Sequence, residues 1–299
     1  MSLFDDLRSI SAYVARDEPM SGRTTLGVGG PADYFVEVSN EEELASLMKY
    51  ITGSNLEWMI VGDGANLLVS DKGIRGIVIH LGNDFGRIDV DGMTITAGAS
   101  ARISKVADIA AKHNLSGLEG VGTVPGSVGG AIVMNAGTHR GYIDSVIKSV
   151  SVVTVTGEKK VLSREECGFT YRNSRFQADK SMLITCAVFS MNPGDGQAIA
   201  EHLDSMRKHR IETQPQGKSA GCFFKNPPNM SAGKLIESIG GKGLREGGAI
   251  VSETHANFIM NAGNATASDL YNLAQRVRAM AREKHGIELE YEVRLVGEW

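Results

Sequence analysis

GLEGVGTVPGSVGGAIVMNAG, residues 117–137, is the stretch on which the reading of this chain turns. Gly120, Gly122, Gly126, Gly129, Gly130 and Gly137 fall within it, and Pro125 stiffens its centre. Backbone so free of side chains can approach a flat or phosphorylated ligand closely, and successive N–H groups in such a loop can cup an anion. The plainer reading is a solvent-exposed flexible loop. Val124, Val128, Ile132, Val133 and Met134 weigh against it, because flexible linkers are polar. The stretch reads as a buried segment that lines a ligand.

Upstream, VGDGANLLV (61–69) places a second glycine loop after an expected strand. It is not the GxGxxG fingerprint: Leu67 stands three positions after Gly64, and no long helix follows at once. A Rossmann site is disfavoured, and taken alone this loop is a plain β-turn. Downstream, FTYRNSR (169–175) sets an aromatic beside two arginines. An arginine fork matches a carboxylate or an enolate oxygen, although a surface arginine in a turn is the commoner outcome.

KSAGCFFKNP (218–227) joins small residues, a thiol, two aromatics, a lysine and an amide. A thiol of pKa ~8.5 is mostly protonated at neutral pH and can donate a proton. Free cysteines are usually small buried hydrophobes, and Cys167 and Cys186 take that reading. In ELEYEVR (288–294), Glu288, Glu290 and Glu292 share one face of an expected strand, Glu288–Val296, opposite Leu289, Tyr291 and Val293. By pattern alone that face is solvated. No HxxxH, HExxH or GxSxG spacing occurs, so metal-site and serine-hydrolase readings find no support and no metal is expected.

The chain as a whole fits these segments. Its 299 residues suffice for two or three packed subdomains, and 42% hydrophobic with 22% charged residues is ordinary globular composition. A net charge of -4 offers no basic field for nucleic acid or an anionic membrane. Three unpaired cysteines favour a reducing compartment. The opening MSLFDDLRSISAYVARDEP carries acids early and no apolar run of signal-peptide length. Nor does any segment approach the roughly 20 apolar residues of a membrane span. A cytoplasmic protein, not inserted in membrane and monomeric, is expected.

Along the chain, Ser39-Asn40-Glu41-Glu42 reads as a capping box opening a helix to about Ile51. Residues 102–113 alternate at helical spacing and end at Asn114, and 198–212 form a helix broken near Pro215. After a short helix near Lys234–Ile239 and a strand around Ala256–Met260, Thr266-Ala267-Ser268-Asp269 caps a well-marked helix ending before Gly286. Helices and strands alternate without a repeat, which gives an α+β fold.

Taken together, TTLGVGGPADYFVEV, VGDGANLLVSDKGIRGIVI, GLEGVGTVPGSVGGAIVMNAG, FTYRNSRF, SAGCFFKNP, VSETHANFIMNAGNATASD and LEYEVRLVGEW closely resemble the UDP-N-acetylenolpyruvoylglucosamine reductase family, in its order and over nearly the whole chain. The compact length is similar to the shorter of the family's two structural types. The resemblance implies an FAD-binding module of the vanillyl-alcohol-oxidase type at 1–200, in two subdomains of about 1–85 and 86–200. A C-terminal α+β substrate-binding domain would occupy 201–299. FAD would be bound non-covalently by Gly62, Asp63, Gly64, Ala65, Asn66 and Leu67, and by Gly120, Gly122, Thr123, Pro125, Gly126, Ser127, Gly129, Gly130, Asn135, Ala136 and Gly137.

By the same resemblance NADPH reduces FAD and leaves, and the UDP-amino-sugar enol ether then takes its place. Hydride passes to the vinyl CH₂, leaving an enolate-like species to be stabilised and protonated. Carried over by motif, Arg172 and Glu292 would steady the enolate and Cys222 would protonate it. Tyr171, Arg210, Lys225 and Asn226 would bind the substrate, Arg210 at the UDP phosphates. Three positions depart from the family pattern: Cys222 for the usual serine, Ala65 for serine, and Gly27 for a basic or polar residue. Each of the last two removes at most a hydrogen bond of about 0.5–1.5 kcal/mol. Two other readings stay open here: another flavin oxidoreductase of the same fold, and a nucleotide-sugar-binding relative without catalysis.

Overall fold

The computed structural model describes residues 2–138 and 140–299. Its chain divides into two compact units, Met1–Arg16 with Tyr34–Asp63 and Gly76–Arg207, and Asp17–Asp33 with Gly64–Arg75 and Lys208–Trp299. The second unit therefore draws in two segments from the N-terminal third. The reason lies in its core and its pairing. Leu26, Val28 and Leu68 are buried in one cluster with Phe223, Phe224, Leu235, Ile259, Leu270 and Val277. Leu67–Val69 also runs parallel to Arg294–Val296 as a two-stranded pair.

The first unit carries two sheets. One has the order Tyr13–Pro19, Pro31–Val38, Ile74–Leu81, Trp58–Ile60, the last pair parallel. The other is antiparallel throughout, in the order Lys159–Ser163, Ile147–Thr154, Met182–Ser190, Thr94–Gly98, Ile88–Asp91. Alternation marks the Ile147–Thr154 strand: Val150 and Val152 are buried while their neighbours Ser149 and Ser151 are only half-buried. In chain order the helices are α1 (Leu3–Ile10), α2 (Glu41–Gly53), α3 (Ile103–Lys112), α4 (Val128–Val133), α5 (Arg175–Ala178), α6 (Gly196–Thr213), α7 (Ala232–Ser238) and α8 (Ala267–His285).

The start of α2 differs by one residue from the expected box. Asn40 is the cap, its side chain accepting from Glu43 N at 2.9 Å, while the Glu43 carboxylate accepts from Ser39 N at 2.8 Å. The buried face fixes this register: Leu44, Leu47, Met48 and Ile51 recur at helical spacing. For α3 the stop is as expected, with Asn114 left-handed at φ 57. The cap of α8 also forms as read, with Thr266 and Asp269 bonding reciprocally and Gly286 left-handed at φ 66. Its buried stripe is Leu270, Leu273, Ala274, Val277 and Ala281, where each large side chain contributes about 1.5–3 kcal/mol.

Two expected strands are shorter than read. Of Glu288–Val296 only Arg294–Val296 is a strand. The preceding residues lie beside Phe223–Lys225 through separate bonds, Lys225 N to Glu290 O at 2.9 Å and Glu292 N to Phe223 O at 3.0 Å. The chain then changes partner to Leu67–Val69, which interrupts any single ladder. Of Ala256–Met260, the strand keeps only Ile259–Asn261, because Phe258 N closes a turn onto His255 O at 3.0 Å. Among the described residues no helix is long and apolar enough to cross a membrane.

Candidate active site

In the first unit the long glycine-rich stretch folds into a tight turn and the short helix α4. Ser127 caps that helix, its hydroxyl accepting from Gly130 N at 3.3 Å. Gly62 of the other glycine loop lies against the same hydroxyl: a Cβ there would come within 2.7 Å of Ser127 Oγ. The two loops the sequence keeps apart thus meet, with Asp63 opposite Arg102 at 3.8 Å. Val128, Ala131, Ile132 and Ala136 are buried in the core, so the stretch is not a free flexible loop. Its Gly122, Ser127, Asn135, Ala136 and Gly137 are buried, Thr123, Gly126 and Gly129 half-buried, and Pro125 and Gly130 exposed.

The Thr123 hydroxyl is buried with no hydrogen-bond partner among the described residues. A polar atom left so costs ~1–3 kcal/mol unless something outside the chain satisfies it. A polar cofactor edge would do so, and this is how the loop fits FAD. Asn135 also bonds within the chain. Its Nδ2 donates to Thr170 O at 3.0 Å and its Oδ1 accepts from Asp144 N at 3.3 Å. Those bonds hold the turn that carries the arginine.

Thr170 and Asn173 exchange backbone bonds at 3.0 and 3.1 Å, so Tyr171 and Arg172 form the tip of a two-residue turn. Arg172 adopts φ 52 there. Ser174 Oγ and Gln177 Nε2 donate to Val133 O at 2.8 and 3.1 Å, and Gln177 Nε2 also reaches Arg172 O at 2.8 Å. The arginine turn is thereby bolted to the end of α4. Tyr171 is 48% exposed, with its ring edge-on to Tyr142 at 6.4 Å between centroids.

In the second unit the backbone of Glu292 pairs with that of the residue after Cys222: Glu292 N donates to the carbonyl of Phe223. Phe223 and Phe224 are fully buried, and Phe224 stacks on Tyr291 at 5.5 Å. Asn257 fixes this strip: its Oδ1 accepts from Phe224 N at 3.0 Å and its Nδ2 donates to Phe224 O at 2.8 Å. Arg210 lies near the end of α6; burial lowers its pKa and the charge of Cys222 acts in the opposite direction. Lys225 Nζ lies 3.3 Å from Glu290, and Asn226 Oδ1 accepts from Ala232 N at 2.9 Å at the start of α7.

The Gly64–Leu67 half of the first loop also belongs to this unit. Gly64 must be glycine, since it adopts φ 61 and a Cβ would lie 2.1 Å from Arg23 O. Asn66 bonds on both sides to the glutamate segment, Nδ2 to Glu292 O and Arg294 N to its own carbonyl, each at 3.0 Å. The remaining cysteines are inert by position: burial pushes the Cys167 thiol up to about 11 and raises that of Cys186. Among the described residues no group of three metal-ligating side chains occurs.

Residues 213–296 match the family model described as UDP-N-acetylenolpyruvoylglucosamine reductase, C-terminal domain, and residues 32–163 match the FAD binding domain. Reductases of that name from Heliobacterium modesticaldum and Symbiobacterium thermophilum are each 42% identical to this chain. The alignments cover 95% of this chain with 90% of the first, and 97% with 96% of the second. The chain belongs to the UDP-N-acetylenolpyruvoylglucosamine reductase family. A crystal structure of that family's enzyme from Thermus caldophilus superposes with a TM-score of 0.83 at 36% identity, over 95% of this chain and 98% of that one. The fold is α+β, with an FAD binding domain.

Against that family membership, what sequence reasoning missed is the set of asparagines that hold the reactive segments. Asn257 lies inside the quoted VSETHANFIMN without a role, and its signal is only an amide flanked by apolar residues in a buried strip.

Proposed function

We propose that Arg172, Glu292 and Cys222 carry the chemistry of the family's reaction in this chain. That reaction reduces the enolpyruvyl ether of UDP-N-acetyl-3-O-(1-carboxyvinyl)-glucosamine to the lactyl ether of UDP-N-acetylmuramate, a step of peptidoglycan synthesis. FAD, reduced by NADPH, supplies the hydride for the vinyl carbon when bound. Gly62–Leu67 and the Gly120–Gly137 stretch would hold it, the Thr123 hydroxyl gaining the partner it otherwise lacks. Residues 1–200 would serve as the FAD module, in two subdomains of about 1–85 and 86–200, and 201–299 as the substrate domain.

The observation that carries the reading is the bond from Glu292 N to Phe223 O at 3.0 Å, which puts carboxylate and thiol on adjoining backbone. Arg172 would pair its planar fork with the substrate carboxylate as charge builds on it. Glu292 would polarise the same group, and Cys222 would give its proton to the α carbon. Arg210 would bind the UDP phosphates, as the resemblance implies. Tyr171, Lys225 and Asn226 would line the nucleotide-sugar path, in a monomeric cytoplasmic enzyme with no nucleic-acid partner.

The test is the visible spectrum of the purified protein, followed by NADPH oxidation with and without the enolpyruvyl substrate. A yellow protein whose steady turnover requires that substrate supports the proposal. A protein that stays colourless after incubation with FAD sinks it.

A further inference from the structure

Asn66 sits in a loop whose obvious task is to hold a phosphorylated cofactor, yet its side chain is turned to another purpose. Its Nδ2 donates to the backbone carbonyl of Glu292 at 3.0 Å, and its own carbonyl accepts from Arg294 N at 3.0 Å. On the other side of the same residue, Glu292 N donates to Phe223 O at 3.0 Å. The Glu292 peptide is therefore gripped from both ends, by the cofactor loop on one and by the residue after Cys222 on the other. Immediately beyond, Leu67–Val69 and Arg294–Val296 pair in parallel, in register Leu67 with Arg294. The side-chain bond is the last rung of this contact before the chain leaves the pair toward the reactive carboxylate.

We infer that Asn66 is a positioning residue for Glu292, setting where its carboxylate stands for the protonation half of the reaction. The inference rests on the proposed role of Glu292. Its physical basis is that Glu292 precedes the Arg294–Val296 strand and that these bonds hold its peptide on both sides. A displacement of about 1 Å of a reacting group can cost ~100-fold in rate. Asparagine suits the task because only its amide N–H₂ can donate to a carbonyl. An ionised aspartate of the same shape would face that carbonyl oxygen with another acceptor.

The test uses the full-length FAD-loaded protein and separates the two half-reactions by stopped flow: flavin reduction by NADPH, then reoxidation by the enolpyruvyl substrate. In Asn66→Ala and Asn66→Asp, compared at saturating FAD, reoxidation should slow ~10- to 100-fold, well beyond any change in flavin reduction. Asn66→Asp should regain reoxidation rate as pH falls and its carboxyl becomes a donor, whereas Asn66→Ala should show no such recovery. Adding Asn66→Ala to Glu292→Gln should slow reoxidation little beyond Glu292→Gln alone, because both act through one carboxylate.

Equal slowing of both half-reactions would overturn the inference and leave Asn66 a cofactor contact. Unimpaired reoxidation in Glu292→Gln, with Asn66→Ala still slow, would remove the Glu292 reading instead. Should Asn66→Ala fail to fold, the near-isosteric Asn66→Asp and its pH profile decide the matter.

Discussion

At the scale of single residues, the departure that matters is Cys222. A thiol is a stronger acid than a hydroxyl. Cys222→Ser should keep turnover within roughly tenfold of wild type and lose sensitivity to peroxide, while Cys222→Ala should lose ~100-fold or more, as expected for removal of a general acid. Steady-state NADPH oxidation before and after peroxide treatment checks both. Asn135 makes a second case. Its two side-chain bonds hold the Thr170–Asn173 turn, so Asn135→Ala should cost about 1–3 kcal/mol of stability through the groups left unpaired. Turnover should drop with Arg172 displaced while FAD remains bound, and a denaturant titration beside a flavin assay reads both. Cys222 and Arg172 were legible as motif residues. Asn135 was legible only as part of a motif, because which carbonyl an amide meets is not written in its neighbours.

At the scale of elements, α7 and the turn before Ile259–Asn261 share a histidine. His255 Nδ1 accepts from Asn257 N at 3.2 Å, its ring packs on Phe258 at 4.9 Å, and burial lowers its pKa below the ordinary value. The unfolded chain takes up this proton before the folded one does. The neutral ring's contribution is thus fully present above about pH 6.5 and declines as pH falls through the lowered folded value. Thermal melts between pH 5 and 7.5 should show wild type losing stability on acidification, and His255→Asn, which keeps an acceptor, giving a flatter profile. Element identity was mostly legible: the Thr266–Asp269 box, Gly286 and Asn114 act through local chemistry and fell where the sequence puts them. The exceptions were ends decided by partners, as with the strand that shrank to Arg294–Val296.

At the scale of the whole molecule, the last residues close the second unit. Ser70 N donates to Val296 O at 2.9 Å, the Ser70 hydroxyl donates to Glu298 O, and Asp71 accepts from Ala267 N and Ser268 N at 2.8 Å at the start of α8. Deleting 294–299 removes the parallel partner of Leu67–Val69 and frees the Gly64–Asn66 loop. The truncated protein should melt at lower temperature and elute without flavin; retention of full FAD content would show that the loop does not need this pairing. Asp71→Ala is a milder version, losing the carboxylate that caps α8 at a cost of about 1 kcal/mol.

The sequence by itself determined the α+β class, the helix caps, the buried glycine stretch and the family, because each is set by residue chemistry within a few positions or by motifs in fixed order. Tertiary structure alone decided that 17–33 and 64–75 join the C-terminal unit, that Gly62 meets Ser127, and that Asn66 grips Glu292 across 226 positions of chain. The physical reason is that such pairings are chosen by which buried faces and unpaired backbone groups find each other once the chain collapses, and no local window of residues carries that information.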